Sequence, residues 1–448
     1  MPKKKTALTI EERLQQALVP AEEQPYEVPE NWVWVRLESV ASWGSGGTPS
    51  RKHEEYYNGD ILWIKTGELN NGWIYDTEEK ITDEGLKKSS AKLFPPYSVL
   101  IAMYGATIGK VAILGVPATT NQACACAVCN QSLLYMYLFY YCISQKNVFI
   151  EKGKGGAQPN ISQIILKQHP IPLPPLSEQQ RIVERIEELF TKLDEAKERL
   201  QEVAESFAVR KAAILHKAFT GELIGKQVTE LVPLENLVDL IKIGPFGSSL
   251  HESDYIENGI PLVNPKHIVQ QRIVPQSKIS ISDEKAEELS SYKLKENDIV
   301  LGRRGEMGRC APISNREENW ICGTGSMIIR LKKEYDAKLY SLILGSQATV
   351  TYLENSAVGS TLKNLNEKIV RKIPVPQFSS EEQHEIVRLI DDLLARERSA
   401  QQATEQALAS IDLMKKSILA RAFRGELGTN KASEASALEL LRQVLAEG

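Results

Sequence analysis

The sequence has 448 residues, of which 42% are apolar and 25% are charged, and its formal net charge is −4. This length exceeds what one hydrophobic core usually holds, so two or more domains are expected. The longest apolar stretch, Leu133–Ile143, is too short to cross a bilayer, and the lysines at positions 3–5 lack the apolar core of a secretory signal. We therefore expect a cytoplasmic protein.

The N-terminal part predicts a short helix, a linker and then a globular segment. Thr9 and Glu12 have the spacing of a capping box, and residues 20–30 are rich in Pro and Glu. In the globular segment that follows, hydrophobic patterning predicts two strands and one buried helix, in this order: Asp60–Ile64, Ser98–Ala102 and Leu133–Ser144.

Three cysteines of this segment, Cys124, Cys126 and Cys129, lie close together. A metal site is one interpretation, but no histidine or fourth cysteine stands at ligand spacing. A buried strand of small side chains is the favoured interpretation, because free cysteine behaves as a small hydrophobe. Disulfides are not expected in a reducing compartment.

A long helix is predicted from about Ser177 to Gly221. Pro174 and Pro175 block helix propagation upstream, and Ser177 with Gln180 predicts an N-terminal capping box. Its apolar positions alternate in steps of four and three, which is typical of a coiled-coil seam. The seam residues are Ile182, Ile186, Leu189, Leu193, Ala196, Leu200, Val203 and Phe207.

The second half of the chain repeats this plan. Strands are predicted at Ile260–Val263, Asp298–Leu301 and Ser326–Arg330, and a second long helix runs to Gly425 with Ser380 and Gln383 as its capping box. Glu397 and Thr404 interrupt its seam, which otherwise comprises Ile386, Ile390, Leu393, Ile411, Met414 and Ile418. The two helices are expected to pack antiparallel, and a peripheral helix docked on its own domain is the alternative.

The repeat has a constant offset. The segment after Pro170 recurs after Pro374, 204 residues later, and the same offset relates Ala218–Leu223 to Ala422–Leu427. A period near 200 indicates domain duplication rather than a solenoid. The predicted parts are a helix and linker, a globular domain, a helix, a second globular domain, a second helix and a tail, with boundaries at 1–30, 31–176, 177–223, 224–380, 381–427 and 428–448.

No catalytic pattern is visible. Gly153–Gly156 lacks the spacing of a phosphate loop, and the six histidines are scattered. The globular domains are weakly positive, with 13 Lys/Arg against 11 Asp/Glu over 32–176 and 20 against 19 over 224–380. Such domains are able to bind DNA through one basic face, although the overall charge does not demand it.

Several linked motifs resemble the specificity subunit of type I restriction–modification systems. They are Gly46–Ser50, Gly155–Ser162, Ile171–Gln179, Ala218–Leu223 and Gly244–Leu250, all in the expected order. In the second copy, Val358–Leu365 departs from the Gln-Pro-Asn-Ile form of the motif. The similarity covers nearly the whole chain, from about residue 30 to residue 427.

The resemblance implies an α/β fold with two mixed α/β target recognition domains, each followed by a long helix of an antiparallel coiled coil. It implies that each domain reads one half of a bipartite, asymmetric target in double-stranded DNA. The helices would set the spacer and dock methyltransferase subunits, two of them, with restriction subunits completing the complex. This chain would bind no cofactor or metal and would not be an enzyme, while S-adenosylmethionine, ATP and Mg²⁺ would belong to its partners.

Candidate DNA contacts are polar and basic residues near the glycine-rich loops and strand ends. Those of the first domain are Thr48, Ser50, Arg51, Lys65, Thr66, Tyr104 and Lys110. Those of the second domain are Ser248, Ser249, Lys266, His267, Arg303, Arg304 and Arg309. The run Gly302–Gly305 is the sharpest candidate, because arginine contacts guanine or phosphate, and a solvated turn is its alternative.

Two other functional classes stay open at this stage. The chain could be a single-chain methyltransferase or nuclease with recognition domains attached, which the missing cofactor motif disfavours. It could also be a coiled-coil scaffold that never binds nucleic acid, which a salt-dependent DNA titration would distinguish.

Overall fold

The computed structural model describes residues 9–153, 159–245, 249–357 and 364–447. The chain divides into two compact units, Met1–Arg199 with Leu408–Gly448 and Leu200–Ala407. Within the described ranges, no helix combines the length and the apolar composition that crossing a membrane requires.

The first unit has a mixed α/β core. Its helices are α1 (Ile10–Ala17), α2 (Leu37–Val40), α3 (Asp83–Lys87), α4 (Tyr135–Ser144), α5 (Lys146–Lys152), α6 (Gln163–Lys167) and the first half of α7 (Leu176–Thr220). Its strands are β1 (Val33–Arg36), β2 (Ala41–Ser45), β3 (Tyr57–Ile64), β4 (Trp73–Ile74), β5 (Lys80–Ile81), β6 (Val99–Ala102), β7 (Val111–Leu114), β8 (Thr119–Thr120), β9 (Cys124–Cys129) and β10 (Pro170–Leu173).

These strands form one large sheet and two small ones. The large sheet has the order β2-β9-β6-β7-β4, and a second sheet has the order β5-β3-β8, in which β3 and β8 run parallel. The third pairs β1 with β10, so that Val33 lies opposite Leu173. Helix α4 packs on β6 and β7 and buries Tyr137 and Tyr141 completely.

The second unit repeats the arrangement. Its strands are β11 (Val232–Pro233), β12 (Val238–Ile243), β13 (Ile260–Val263), β14 (Ile268–Val269), β15 (Arg272–Ile273), β16 (Ser280–Ile281), β17 (Asp298–Gly302), β18 (Cys310–Pro312), β19 (Ile321–Cys322), β20 (Ser326–Leu331) and β21 (Pro374–Val375). Its helices are α8 (Asp283–Glu288), α9 (Ala337–Leu344), α10 (Gln347–Ser356), α11 (Glu367–Arg371) and the first half of α12 (Ser380–Ala422), while α13 (Ala437–Glu447) belongs to the first unit.

The sheets of the second unit correspond to those of the first. The main sheet has the order β12-β20-β17-β18, and a smaller one, β16-β13-β19, again contains a parallel pair, β13 with β19. Two-stranded pairs join β11 to β21 and β14 to β15. The strands and helices predicted from hydrophobic patterning are confirmed in both units. The cysteine cluster forms β9, in which Cys124 and Cys126 are buried.

A buried glutamine near the start of each long helix explains the strongest part of the repeat. The Gln179 Nε2 group donates to the carbonyls of Ser132 and Pro174 at 2.8 and 3.0 Å, and its Oε1 accepts from the amide of Leu134 at 2.9 Å. The bonds to Ser132 and Leu134 tie the helix to the chain entering α4, and the bond to Pro174 holds the segment that precedes α7. Every polar atom of the amide has a hydrogen-bond partner. Burial of this side chain therefore leaves no unpaired polar group, which would be destabilising.

Gln383 makes the same set of bonds in the second unit. Its Nε2 donates to the carbonyls of Glu334 and Phe378, both at 3.0 Å, and its Oε1 accepts from the amide of Asp336 at 2.8 Å. The chain held here is the one that enters α9. The 204-residue offset thus preserves one hydrogen-bonded joint in each unit.

A buried tyrosine reinforces each joint. The Tyr137 hydroxyl donates to the carbonyl of Pro172 at 2.8 Å, and the Tyr340 hydroxyl donates to that of Pro376 at 3.1 Å. Proline has no amide hydrogen but retains its carbonyl, so these carbonyls remain available as acceptors. The repeated Pro-x-Pro segment is therefore clamped between a strand partner and a core helix.

The capping box predicted at Thr9 and Glu12 is confirmed, whereas those predicted for the two long helices are wrong by about one residue. Helix α7 begins at Leu176, so Ser177 lies inside it. At α12 the Ser379 Oγ accepts from the Glu382 amide at 3.3 Å, and the Ser379 amide donates to Glu382 Oε2 at 2.8 Å. Gln383 does not cap the helix because the joint to α9 uses its side chain.

The long helices pack antiparallel, as predicted, within each unit. In the first unit Lys415 of α12 lies 2.5 Å from Asp194 of α7, and Lys197 lies 3.8 Å from Asp412. In the second unit Arg210 of α7 lies 2.9 Å from Glu397 of α12. In each of these pairs, a higher residue number in α7 goes with a lower one in α12, as antiparallel packing requires.

Most seam residues face the protein interior. Ile182, Ile186, Phe207, Ile386, Ile390 and Ile411 are buried, and Leu189, Leu193, Leu200, Leu393 and Ile418 are half-buried. The predictions for Ala196, Val203 and Met414 are wrong, because Ala196 is exposed and the Val203 and Met414 side chains are 41% and 51% exposed. A straight α-helix drifts by about 20° per heptad from a 3.5-residue repeat, so three or four heptads move such a position by about 60–80°.

The two polar seam positions have specific partners. The Arg210 Nε–H is shared between the two carboxylate oxygens of Glu397, at 2.9 and 3.1 Å, and the Arg210 guanidinium lies 4.4 Å from the centroid of the Phe207 ring. Thr404 is buried and its hydroxyl donates to the carbonyl of Ala400 at 2.9 Å. Both positions are thus compatible with helix packing.

Replacing Gln179 by Glu is expected to lower the free energy of unfolding by about 2–3 kcal/mol, because a carboxylate oxygen would face two carbonyl oxygens in a buried site. Gln383→Glu should have a similar effect. The matched control is Gln180→Glu, one residue along at an exposed position, where losing the 3.0 Å bond to Glu184 and adding a like charge should cost only about 0.2–0.5 kcal/mol. Thermal and chemical unfolding compare the variants, and equal stability of all three would contradict the joint.

Candidate nucleic-acid interface

The loops that carry the candidate residues of the second domain meet at one edge of its sheets. Strands β13 and β19 are parallel, so their carboxyl ends, Val263 and Cys322, lie at the same edge. The Gly323 amide donates to the carbonyl of Val263 at 3.0 Å, and the Arg303 amide donates to that of Gly325 at 2.8 Å. These backbone bonds hold the loops after β13, β17 and β19 together.

Four basic side chains lie on these loops, and we call them the cationic edge: Lys266, Arg303, Arg304 and Arg309. Lys266 and Arg304 are exposed, and neither forms an ion pair with any residue that the structure describes. Arg309 pairs with Glu306, and its Nη1 also donates to the carbonyl of Pro265 at 3.4 Å. Two of the four cations are therefore available to an external anion.

Arg303 has a supporting position in the cationic edge. Its Nε donates to the carbonyl of Leu365 at 3.0 Å, and its own carbonyl accepts from the Leu365 amide at 3.0 Å. Burial, and then the charge of Arg304, lower the pKa of Arg303 from its usual value. Any anion that neutralises Arg304 would also relieve this repulsion.

His267 is wrong as a DNA contact. Its side chain is buried, and its Nδ1 lies 2.8 Å from the carbonyl of Leu262. Burial lowers the pKa of His267, so the ring is neutral at physiological pH. It instead holds the turn that presents Lys266. Ser249 is exposed, and Ser248 lies outside the described residues.

The first domain builds the corresponding edge with fewer charges. Strands β3 and β8 are parallel and pair Ile64 with Thr120, so the loops after them meet. Thr48 lies in the loop after β2, and its hydroxyl donates at 2.6 Å to Oε1 of Gln122 in the loop after β8; both residues are exposed. Thr66 and Lys110 are half-buried, and Ser50 is exposed.

Arg51 and Lys65 are already paired inside the domain. Glu79 lies 2.7 Å from Arg51 and 3.0 Å from Lys65, and Glu78 lies 3.1 Å from Lys65. The Arg51 guanidinium also lies 4.3 Å from the Tyr57 ring centroid. These two cations connect neighbouring loops, and hydrogen bonding to Glu79 is the main cause that raises the pKa of each.

Tyr104 and Arg304 occupy equivalent positions. A single β-bridge joins Tyr104 to Asn160, and another joins Arg304 to Asn364. The two asparagines are related by the 204-residue offset of the repeat. Neither these asparagines nor Gln122 is among the contacts predicted from the sequence. The repeat offset would have identified Asn160 and Asn364, whereas Gln122 has no local pattern.

A glycine shapes each of these loops. Gly105 and Gly305 have φ values of 63° and 84°, a left-handed conformation in which side chains are disfavoured. Each follows directly after Tyr104 or Arg304 and turns the chain sharply. The side chain before the glycine is consequently displayed at the tip of the loop.

No group of three or more His, Cys, Asp or Glu side chains able to hold a metal occurs among the described residues. The polar groups collected at the two edges are hydroxyls, amides and cations. Such groups contact phosphates and base edges.

Comparisons with known proteins converge on one family. The model for the type I restriction modification DNA specificity domain matches residues 29–205 and 235–408. The chain is 25% identical to the type I restriction enzyme EcoBI specificity subunit of Escherichia coli, over 94% of this chain and 93% of that one. It is 29% identical to the MjaIX specificity subunit of Methanocaldococcus jannaschii, over 62% of this chain and 68% of that one.

A solved structure shares the fold. The HsdS subunit from Thermoanaerobacter tengcongensis superposes with a TM-score of 0.64, at 20% identity, over 90% of this chain and all of that one.

Gly105→Ala is expected to lower the free energy of unfolding by about 1 kcal/mol, because an L side chain is strained at positive φ. Gly67→Ala is the matched control, since a Cβ at either position meets no atom within 4 Å and only Gly105 has a positive φ. Thermal unfolding of the two variants measures the difference. Equal midpoints would show that the loop relaxes without cost.

Proposed function

The chain belongs to the type I restriction modification DNA specificity domain family, and from its two recognition domains we propose that each binds one half of a bipartite target in double-stranded DNA. Sequence-specific binding is then its function within a multisubunit complex. Catalysis would lie with the partner subunits.

The cationic edge of the second domain is the observation that carries this proposal. Lys266 and Arg304 are exposed and unpaired among the described residues, and backbone bonds fix the loops on which they stand. Arginine forms two hydrogen bonds to guanine in the major groove, and both residue types neutralise phosphate. A charge held on a rigid loop loses little conformational entropy on binding.

The differences between the domains support an asymmetric target. Where the second domain has Arg304, the first has Tyr104, and where the second has Lys266, the first has Gly67 flanked by Thr66. Tyrosine and threonine offer hydroxyls and apolar contact rather than a full charge. Different donor patterns at equivalent positions favour different base sequences.

The long helices suit the roles of spacer and docking platform. Their lengths match, at 45 and 43 residues, and the same buried glutamine anchors each one. The repeat would offer similar surfaces to two methyltransferase subunits. S-adenosylmethionine, ATP and Mg²⁺ would be bound by those subunits and by the restriction subunits, not by this chain.

Arg304→Ala is expected to weaken specific DNA binding by about 1–3 kcal/mol if the side chain reads a base. If it binds phosphate, the salt dependence of log K should fall by about one unit instead. Binding is measured by titrating a duplex that contains the target with the assembled complex at several salt concentrations.

Arg316→Ala is the matched control, because Arg316 is an exposed arginine of the same domain and lies beyond β18, away from the cationic edge. Its removal should leave both affinity and salt slope nearly unchanged. Equal losses of affinity in the two variants would show that the cationic edge contributes only general electrostatic attraction.

Removing one heptad from each helix, residues 201–207 of α7 and 401–407 of α12, should shorten the preferred spacer between half-sites. The Arg210–Glu397 pair shows how the two antiparallel helices align. In this alignment, residues 201–207 lie opposite residues 401–407. Seven helical residues span about 10 Å, equivalent to about three base pairs.

Selection from a duplex library with randomised spacer lengths measures this change. The half-site sequences should stay the same, because the recognition domains are untouched. An unaltered spacer would rule out the helices as the element that sets it.

A further inference from the structure

A strained hairpin follows the turn that carries Lys266. Strands β14 and β15 pair Val269 with Arg272, and Gln270 and Gln271 form the two-residue turn between them. Both glutamines have positive φ values, 48° and 60°. Two-residue turns with this backbone strongly prefer asparagine and glycine, because other side chains are disfavoured there. The hairpin therefore holds two glutamines at its tip against the preference of its own backbone.

The first unit has an asparagine at the equivalent place. At a shift of 199 residues, the helical turn Thr66–Glu68 corresponds to Pro265–His267 and β4 corresponds to β15, so Asn71 is equivalent to Gln270. Asn71 has a φ of 60°, which asparagine tolerates. Its Oδ1 accepts from the Val111 amide at 3.3 Å, and its own amide donates to the Val111 carbonyl at 2.9 Å. The asparagine side chain thus has a structural role within its domain.

The Gln270 side chain has no such role. It is exposed, and it forms no hydrogen bond with any residue that the structure describes. The Gln271 side chain, in contrast, donates to the Ser341 carbonyl at 3.4 Å and so anchors the turn. A strained residue whose side chain bonds nothing inside the protein points to a role outside it.

The hairpin lies beside the cationic edge. The Ser341 carbonyl that Gln271 contacts also accepts from Cys310 Sγ at 3.1 Å, and Cys310 directly follows Arg309. Arg309 Nη1 in turn donates to the carbonyl of Pro265, in the turn that precedes β14. The start of the hairpin and its tip are therefore both held next to the loop that bears Arg309.

Arg272 adds a cation to this border. Its side chain is exposed and forms no ion pair within the described part of the chain. At the shift of 199 residues its equivalent in the first unit is Trp73, so this charge is particular to the second domain. Along the chain, Gln270 stands between two exposed cations, Lys266 before it and Arg272 after it.

We propose that Gln270 reads an adenine in the major groove of the half-site bound by the second domain, and that Arg272 contacts a phosphate beside it. The major groove admits a two-stranded β-ribbon, and a glutamine amide forms two hydrogen bonds with the N6 and N7 positions of adenine. The phosphate contact orients the hairpin without selecting a sequence. This inference rests on the proposed function, within which it names one base contact.

The fixed backbone of the turn suits this role. Because Gln271 anchors the turn, Gln270 loses only its side-chain freedom on binding, which keeps the entropic cost low. The adjoining cations attract the phosphate backbone and would repel a basic protein surface. The position is thus favourable for reading DNA.

The test repeats the selection of duplexes from a randomised library, with each variant assembled with its methyltransferase subunits. Gln270→Gly removes the amide but suits the turn, so the thermal midpoint should stay equal or rise. One position of one half-site, an adenine with the unchanged chain, should lose a preference of about tenfold. A loss of specificity without a loss of stability does not arise from misfolding.

Two further variants sharpen the assignment. Gln270→Glu should move the preference at that same position to cytosine, whose amino group donates to a carboxylate. Arg272→Ala should leave every base preference unchanged and lower the salt dependence of log K by about one unit.

Asn258→Gly is the matched control. Asn258 is also an exposed amide residue of the second domain with a positive φ, 60°. It precedes β13, whose carboxyl end lies at the cationic edge, so it stands at the opposite end of that strand. This variant should retain all base preferences.

The same base preferences in Gln270→Gly as in the unchanged chain would overturn the inference and leave the proposed function intact. A change at a position that the unchanged chain does not read as adenine would also overturn it, as would equal changes in Gln270→Gly and Asn258→Gly. Enrichment of no sequence by the unchanged chain would overturn the proposed function, and this inference with it.

Discussion

The buried glutamine joint is the constraint on which the rest of the structure depends. Gln179 and Gln383 each bond two carbonyls and one amide, and so fix a long helix to the chain that enters the core helix of a domain. An amide is the side chain that donates twice and accepts within one small group. The joint fixes the first turns of each long helix to its domain, and loops elsewhere are free to change.

Charge pairing decides which loop residues are available for binding. Both domains carry basic residues near the strand ends, but Glu79 neutralises Arg51 and Lys65, whereas Lys266 and Arg304 keep their charges free among the described residues. Similar backbones therefore expose different electrostatic surfaces.

The regular parts of the fold could be predicted from the sequence, because periodicity and capping residues report local structure directly. The helix ends near Gly221 and Gly425 and the central strands illustrate this. Val203, Met414 and His267 could not be placed, because their exposure depends on helix drift and on packing between distant segments. The ion pair of Arg51 could not be predicted, because its partner Glu79 lies far from it in the sequence. The rings of Trp73, Tyr97 and Tyr135 also pack together, and no local pattern predicts this because the three residues lie far apart in the sequence.

The central claim is that the two domains read two separate half-sites. Its most direct test is the selection of bound duplexes from a fully randomised library by the complex of this chain with its methyltransferase subunits, followed by sequencing. The expected result is two short, different sequence blocks separated by a gap of constant length and free sequence. A single continuous motif, or enrichment of no sequence at all, would contradict the claim.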